Sequence, residues 1–311
     1  MSRKAKQRRH LFEVFAANLR LYFPWTGGNI VLCPLCRRAF DRDALAPPPK
    51  LTLAHVVPRS LGGAQCVLTC ADCNSTMGTK FDASVARARS AQRFFEGHQK
   101  YPIVMRSTNG EGMLRAEATL RAGRWQIRAV ERKSHPKLVD KLVEEMTGNW
   151  PGYQFSISLE TPNLRRVLFG HYHAAFLAAF GQYGYEYALS FGGKTAAGIL
   201  LSDPEAFPVE RYVLPEFNEV GQSTTTRPIV GVMHRPREYK SLLVQLPPLA
   251  ATEKNRGVLL PGLRHLDMLT YAALARLDEP FGRYECTGHD PAPRLVAETS
   301  KGCLHRLWDV L

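Results

Sequence analysis

The chain has 311 residues, 45% of them hydrophobic and 22% charged, which is long enough for a sizeable core and for two domains. No apolar run approaches the ~20 residues that cross a bilayer. The N-terminus also lacks the uninterrupted apolar segment and small-residue cleavage site of a signal peptide, which argues against a membrane-spanning or secreted protein and for a cytoplasmic one. The net charge of +13 is uneven: residues 1–100 hold 16 Lys and Arg against 6 Asp and Glu, whereas residues 101–311 hold 25 against 22. A positive field concentrated on the first third suits a partner that carries phosphates.

In chain order, Arg3, Lys4, Lys6, Arg8 and Arg9 form a basic arm. From His10 the residues Leu11, Phe12, Phe15, Leu19 and Tyr22 recur at helical spacing, and Pro24 with Gly27 and Gly28 ends that helix. Asn29–Leu32 reads as a short strand leading into Cys33-Pro34-Leu35-Cys36. After the irregular Pro47-Pro48-Pro49 loop, Lys50–Val57 reads as a strand stopped by Pro58. Gly62-Gly63 makes the turn, and Val67-Leu68-Thr69 makes the return strand. Cys70-Ala71-Asp72-Cys73 then runs into a helix from Asn74 that continues or restarts through Ala83–Glu96 and ends at Gly97.

Two close pairs of cysteines are the pattern of a tetrahedral zinc site, because each pair can turn tightly enough to bring two sulfurs to ~2.3 Å from one ion. A reducing compartment favours that use of Cys33, Cys36, Cys70 and Cys73 over disulfides. A closed four-thiolate site has no open position for substrate, so the expected zinc is structural. A unit of only ~50 residues needs such a staple. Cys66, Cys286 and Cys303 read as small buried hydrophobes. Arg59, Lys80, Arg87, Arg89 and Arg93 are the candidate nucleic-acid contacts, and for Lys80 plain solvent exposure is an equal reading.

Beyond residue 97 the pattern is α+β. Met105–Arg132 reads as strands with turns at Asn109-Gly110 and Ala122-Gly123. A helix opens at Ser134 and Pro136 with Leu138, Leu142, Val143 and Met146 on one face, and Tyr153–Leu159 is a half-buried strand. Thr161-Pro162 starts a helix through Phe180 that is apolar nearly all round, the expected core helix of a second domain. Two residues apart on it, His171 and His173 point roughly 200° from each other, cannot share a ligand, and read as core histidines. Ile229–Met233, Leu242–Leu246 and Val258–Leu260 are later strands. The expected division is 1–24, a basic arm and helix; 25–97, the cysteine-bearing unit; and 98–311, a larger α+β domain.

Between the two cysteine pairs lies Leu53-Ala54-His55-Val56-Val57-Pro58-Arg59-Ser60-Leu61-Gly62-Gly63, and after them Cys70-Ala71-Asp72-Cys73-Asn74-Ser75-Thr76-Met77-Gly78-Thr79-Lys80-Phe81-Asp82. This run resembles the HNH endonucleases, whose catalytic unit is the ββα-metal fold and which often carry a four-cysteine zinc site. It is most similar to a subgroup reading His-x-x-Pro-x-x-Leu-Gly-Gly and Cys-x-x-Cys-Asn-x-x-x-Gly-x-x-x-Asp. The resemblance implies that His55 is the general base that activates water, and neutral imidazole near pH 7 suits that task. It also implies that Asn74 binds a catalytic Mg²⁺ or Mn²⁺, with Asp82 a further candidate for that ion's shell. A helix-capping or turn asparagine is the alternative reading of Asn74.

Three positions depart from relatives. Ala54 stands where many have the principal metal-binding Asp, Gln65 or Cys66 stands nearest the histidine-orienting Asn, and Gly78 replaces a second helix ligand. Asp41 and Asp43 are further candidates for the missing carboxylate. If the helix ran straight from Asn74, Asp82 would lie ~12 Å away, so a shared ion would need a break at Gly78 or a bridging water.

The resemblance thus implies a metal-dependent endonuclease cutting DNA to leave a 5′-phosphate. A single unit cuts one strand, so double-strand cleavage would need a homodimer or two sequential nicks. The rest of the chain would then supply dimerisation, target choice or control, and bacterial defence against foreign DNA suits that architecture by analogy of fold alone. A non-catalytic zinc module that binds nucleic acid and an RNA-directed nuclease are the alternatives.

Overall fold

Helix α1 spans Arg3–Arg20 and so begins inside the basic arm, where Ser2 Oγ accepts from Ala5 N at 3.3 Å. The expected start near His10 is too late because the apolar spacing marks only the buried face. A serine N-cap followed by Lys, Ala, Gln and Arg is enough to carry the helix seven residues further out. Its apolar face is sealed: Leu11, Phe12, Phe15, Ala16 and Leu19 are all buried.

The computed structural model describes residues 2–107, 113–121, 123–130, 134, 136–137, 155–159, 162–214, 229–234, 240–246 and 256–262. The expected helix over Leu138, Leu142, Val143 and Met146, the Asn109-Gly110 turn, Cys286 and Cys303 lie outside the described residues. Helix and strand are mixed. Among the described residues no helix is long and apolar enough to cross a membrane.

Strands β1 (Ile30–Leu32) and β2 (Ala39–Asp41) form an antiparallel hairpin around the first cysteine pair. Its tip is closed by Arg37 N donating to Cys33 O at 2.8 Å and Cys33 N donating to Arg38 O at 2.9 Å. Strands β3 (Leu51–His55) and β4 (Cys66–Cys70) form the second hairpin, in register from Leu51 opposite Cys70 to His55 opposite Cys66. Helix α2 (Ala71–Met77) follows β4 without a linker, then a π-helical turn over Gly78–Asp82, then α3 (Ala83–Phe95).

The glycine pair of the β3–β4 loop has two separate jobs. Gly62 takes φ +86°, a left-handed conformation that a Cβ disfavours. Gly63 is needed for space, because a Cβ there would lie 1.8 Å from the Val57 carbonyl oxygen. Gly63→Ala must therefore push the Val57 carbonyl, two residues past His55. Its expected cost is about 2 kcal/mol or more, read as a lower thermal midpoint, whereas Gly78→Ala, with nothing within 4 Å of its Cβ, leaves the midpoint unchanged or higher.

The chain folds as two units, one of Met1–Val85 with Leu164–Leu311 and one of Ala86–Asn163. This is not the division expected at residues 97 and 98: the smaller unit interrupts the larger one, and α3 runs from one into the other. In the smaller unit the antiparallel sheet has the order β7-β6-β5-β8, from β5 (Tyr101–Ser107), β6 (Met113–Arg121), β7 (Arg124–Ala129) and β8 (Phe155–Leu159). Phe94 of α3 packs on Tyr101, Ile103, Ala116 and Ala118 there.

In the larger unit, α4 (Leu164–Tyr183), α5 (Tyr185–Leu189) and α6 (Phe191–Leu201) accompany a second antiparallel sheet. Its order is β10-β11-β12-β9, from β9 (Val213–Leu214), β10 (Ile229–His234), β11 (Lys240–Leu246) and β12 (Arg256–Leu260). Helix α4 is buried from Val167 to Gly181 because both of its sides are covered: β11 and β12 lie on one flank, β4 and the π turn on another.

That helix and the cysteine-bearing hairpins share one core. Phe180 stacks on Phe15 at 4.7 Å between centroids, and Phe169 stacks on Phe81 at 5.2 Å. The Tyr185 hydroxyl donates to Leu32 O at 2.6 Å and accepts from Leu32 N at 2.7 Å, one residue before Cys33. Asn18, buried in α1, accepts from Tyr185 N at 2.8 Å through Oδ1. Gly184, at φ +58°, lets that amide in, since a Cβ would meet the Asn18 oxygen at 2.3 Å.

Candidate functional site

The two hairpins and the start of α2 bring the four expected cysteines together: one sulfur each from Cys33, Cys36, Cys70 and Cys73, all within 4.8 Å of one another. Cys36 Sγ and Cys70 Sγ are 3.7 Å apart, close to the ~3.8 Å edge of a tetrahedron with sulfur ~2.3 Å from a central zinc. Among the described residues this is the one group of three or more His, Cys, Asp or Glu that converges in this way. The cluster can hold a metal ion such as zinc.

Its surroundings suit thiolates. Cys70 N donates to Cys33 Sγ and Cys73 N to Cys70 Sγ, each at 3.4 Å. Arg38 donates to Cys36 Sγ at 3.4 Å and to Cys70 Sγ at 3.2 Å, and is itself paired with Asp72 at 2.5 Å. Sequence reasoning missed Arg38, although a cation two residues after a cysteine knuckle is a signal to look for. Without a cation the crowded thiols conflict. Hydrogen bonds from Cys33 and Cys73 draw Cys70 far below the usual thiol range, while its bond to Cys70 pushes Cys33 up to about 12. A divalent ion removes that conflict by favouring all four thiolates at once.

His55 sits at the end of β3, half-buried, and among the described residues no group hydrogen-bonds its ring. Burial holds it below the ordinary histidine value, the charges of Arg59 and Lys4 add to that, and Asp82 opposes them. The imidazole is therefore neutral near pH 7. Lys4 is close because α1 lies over the hairpin: Gln7 Nε2 donates to Cys66 Sγ at 3.0 Å, and Cys66 is the cross-strand partner of His55. Part of the basic arm is thereby fixed beside the histidine.

Asn74 does not cap the helix, whose N-cap is Cys70. Its Nδ2 donates to Thr52 Oγ1 at 3.1 Å and to Leu53 O at 3.3 Å, which ties α2 to β3 and leaves Oδ1 as the oxygen available to a cation. The helix is not straight beyond it. Eight residues of α-helix would put Asp82 ~80° around from Asn74, and the extra residue of a π turn takes up ~100°, bringing the two within ~20° of one face. The α-helix does break at Gly78, into that turn, which changes the bearing of Asp82 but leaves most of the axial rise between the two positions.

Asp82 Oδ1 lies 3.2 Å from His173 Nδ1, across 91 residues of sequence. A carboxylate can only accept, so Nδ1 carries the proton. In the neutral ring His173 Nε2 is then a buried acceptor with no partner among the described residues, an arrangement that costs about 1–3 kcal/mol. His171 is buried as expected, and desolvation, with the Arg256 charge adding, lowers it to about 3. Reading His173 as another inert core histidine overlooked its partner, which no local pattern reveals.

The remaining candidates scatter. Arg59 and Lys80 are exposed in the larger unit, and Arg59 acts on His55 through its charge. Arg87, Arg89 and Arg93 lie on the part of α3 that belongs to the smaller unit. Ala54 is buried at 2% exposure. Asp41 is exposed and engaged in capping the turn that follows it, accepting from Asp43 N at 3.1 Å. Gln65 is buried, and its Nε2 has no hydrogen-bond partner among the described residues.

No curated protein and no solved structure matches the chain. A family model does match, over residues 33–89, which run from the first cysteine through β3, His55, β4 and the π turn into α3. That segment belongs to the HNH endonuclease family, and the family points to nuclease activity.

Proposed function

We propose that this protein is a metal-dependent endonuclease that cuts DNA in the ββα-metal manner. Zinc on Cys33, Cys36, Cys70 and Cys73 is its scaffold, His55 its general base, and Asn74 and Asp82 the ligands of a Mg²⁺ or Mn²⁺ ion. The observation that carries this reading is the placing of His55: a half-buried ring at the end of β3, in the same segment as the four-cysteine cluster, held below the ordinary histidine value by burial, Arg59 and Lys4, with the Asp82 charge opposing them. A neutral imidazole takes a proton from water, and the two cations that keep it neutral also attract a phosphodiester. Two hard oxygens suit a cation that keeps several waters, and such a cation would stabilise the developing charge and the leaving oxygen.

The test is cleavage of plasmid, single-stranded DNA and RNA with Mg²⁺ or Mn²⁺, beside His55→Ala. The variant is expected to lose about 10²- to 10⁴-fold in rate, the range for a positioned general base. Equal cutting by both proteins would point to a contaminant. Binding without cutting would favour a non-catalytic zinc module, a reading that the buried Ala54 favours. Cutting of RNA alone would redirect the substrate.

The pH dependence has a definite sign. The base works unprotonated and its value is lowered in the folded chain, so activity rises with pH and its acid limb inflects below about 6.5. Arg59→Ala is expected to move that inflection upward; an inflection unmoved in the variant and lying above the free-histidine value would contradict the assignment. The same group stabilises the fold fully above about pH 6.5, and that contribution is lost as pH falls towards the folded-state value.

A further inference from the structure

Helix α4 approaches the family segment unusually closely at one point. A Cβ on Gly170 would lie 2.3 Å from Val85 Cγ2 and 3.2 Å from Phe81 O, so only glycine lets the two helices meet there. Phe169 beside it stacks on Phe81. His173 is three residues further along α4, on the same face as Gly170, and it meets the next residue, Asp82, through Nδ1 at 3.2 Å. The close approach and the hydrogen bond are thus one device. His173 has a side chain 3% exposed and Asp82 one 25% exposed, so the imidazole is sealed in the core while the carboxylate reaches the surface, where its charge acts on His55.

The position asks for an explanation that packing does not supply. Apart from His171, the other buried positions of α4 hold apolar or aromatic residues and glycine, and a leucine would fill this site without leaving Nε2 unpaired. Buried donors are kept where they orient an acceptor that does chemistry.

We propose that His173 is a positioning residue of the nuclease site, holding the Asp82 carboxylate in place, so that the catalytic centre is completed by a helix outside the family segment. The proposal rests on the nuclease reading above. It assigns the large C-terminal part of the chain a direct duty at the site. It also names what aims the carboxylate in a chain with Ala54 at the usual aspartate position.

The test compares the full-length wild type with His173→Leu, which keeps volume and removes the donor, and His173→Asn, which keeps an N–H near the place of Nδ1. Zinc content, Mn²⁺ affinity by titration calorimetry, and kcat and KM for plasmid nicking are measured for each. The leucine variant is expected to retain zinc, to bind Mn²⁺ about 10- to 100-fold more weakly, the range for partners that orient metal ligands, and to lose kcat with KM for DNA little changed. The asparagine variant is expected to recover most of both. Wild-type Mn²⁺ affinity and kcat in the leucine variant would overturn the proposal, as would an asparagine variant equally impaired with its zinc intact.

Should the leucine variant fail to fold, Asp82→Asn decides instead: unchanged Mn²⁺ affinity and cleavage there would overturn the proposal, and loss of both with zinc retained would support it. A wild type that neither binds Mn²⁺ nor cuts would defeat the nuclease reading itself and take this proposal with it. An active wild type with an unaffected leucine variant defeats the proposal alone.

Discussion

A fragment ending at Gly97 is expected not to fold, even though it contains the whole HNH-family segment. The segment's core is shared with α4 and α5. Cutting the chain there exposes the faces of Phe15 and Phe81 that stack on Phe180 and Phe169, and strips Leu32 of both hydrogen bonds to Tyr185. Re-exposing a large apolar side chain costs about 1.5–3 kcal/mol, and domains have only about 5–15 kcal/mol to lose, so a few such residues exhaust the stability. The converse chain, with Ala86–Asn163 replaced by a flexible linker, is expected to fold and keep its zinc, because the larger unit has its core without them. Far-ultraviolet circular dichroism and zinc analysis of both chains check this. A cooperative thermal transition in the fragment ending at Gly97 would refute it.

Cys70→Ser has the next largest expected effect. Its sulfur is the hub of the cluster, 3.7 Å from Cys36 Sγ, accepting from Cys73 N and from Arg38, and donated to the site by the strand that pairs with β3. Structural zinc contributes about 10–16 kcal/mol of apparent binding free energy at neutral pH, comparable with or larger than the whole stability of a domain. If the cluster holds zinc as proposed, its loss unfolds the hairpins and the α1 packing that depends on them, and ends the proposed cleavage. Cys66→Ser is the matched control: Cys66 is buried and outside the cluster, so zinc content should stay at the wild-type level. Wild-type zinc content in the Cys70 variant would count against a four-thiolate site.

The site was legible to different depths in the sequence. The cysteine pairs could be read because each is a local turn whose spacing nearly dictates where its two sulfurs go. The β3–β4 hairpin could be read because Pro58 and Gly62-Gly63 mark its turn, and the contact of Gly63 with Val57 gives the second glycine its physical cause. Asp82 was visible as a candidate, but its bearing relative to Asn74 was not, because the π turn between them follows no propensity signal. Helix α4 was recognisable as fully buried. What buried it was not, because an all-round apolar pattern records how much surface is hidden and not which element hides it.

By itself, the sequence determined the cysteine cluster, the strand that carries His55, the turn after it and the charge on the first third of the chain. All of these are set by spacing, backbone geometry or composition within a few residues. Only the tertiary structure decided that α1 brings Lys4 to His55, that residues 86–163 interrupt a single larger unit, and that His173 holds Asp82. Those are pairings between distant segments, fixed by which apolar faces cover one another, and the energies that select them belong to the assembled core and to no stretch of chain alone.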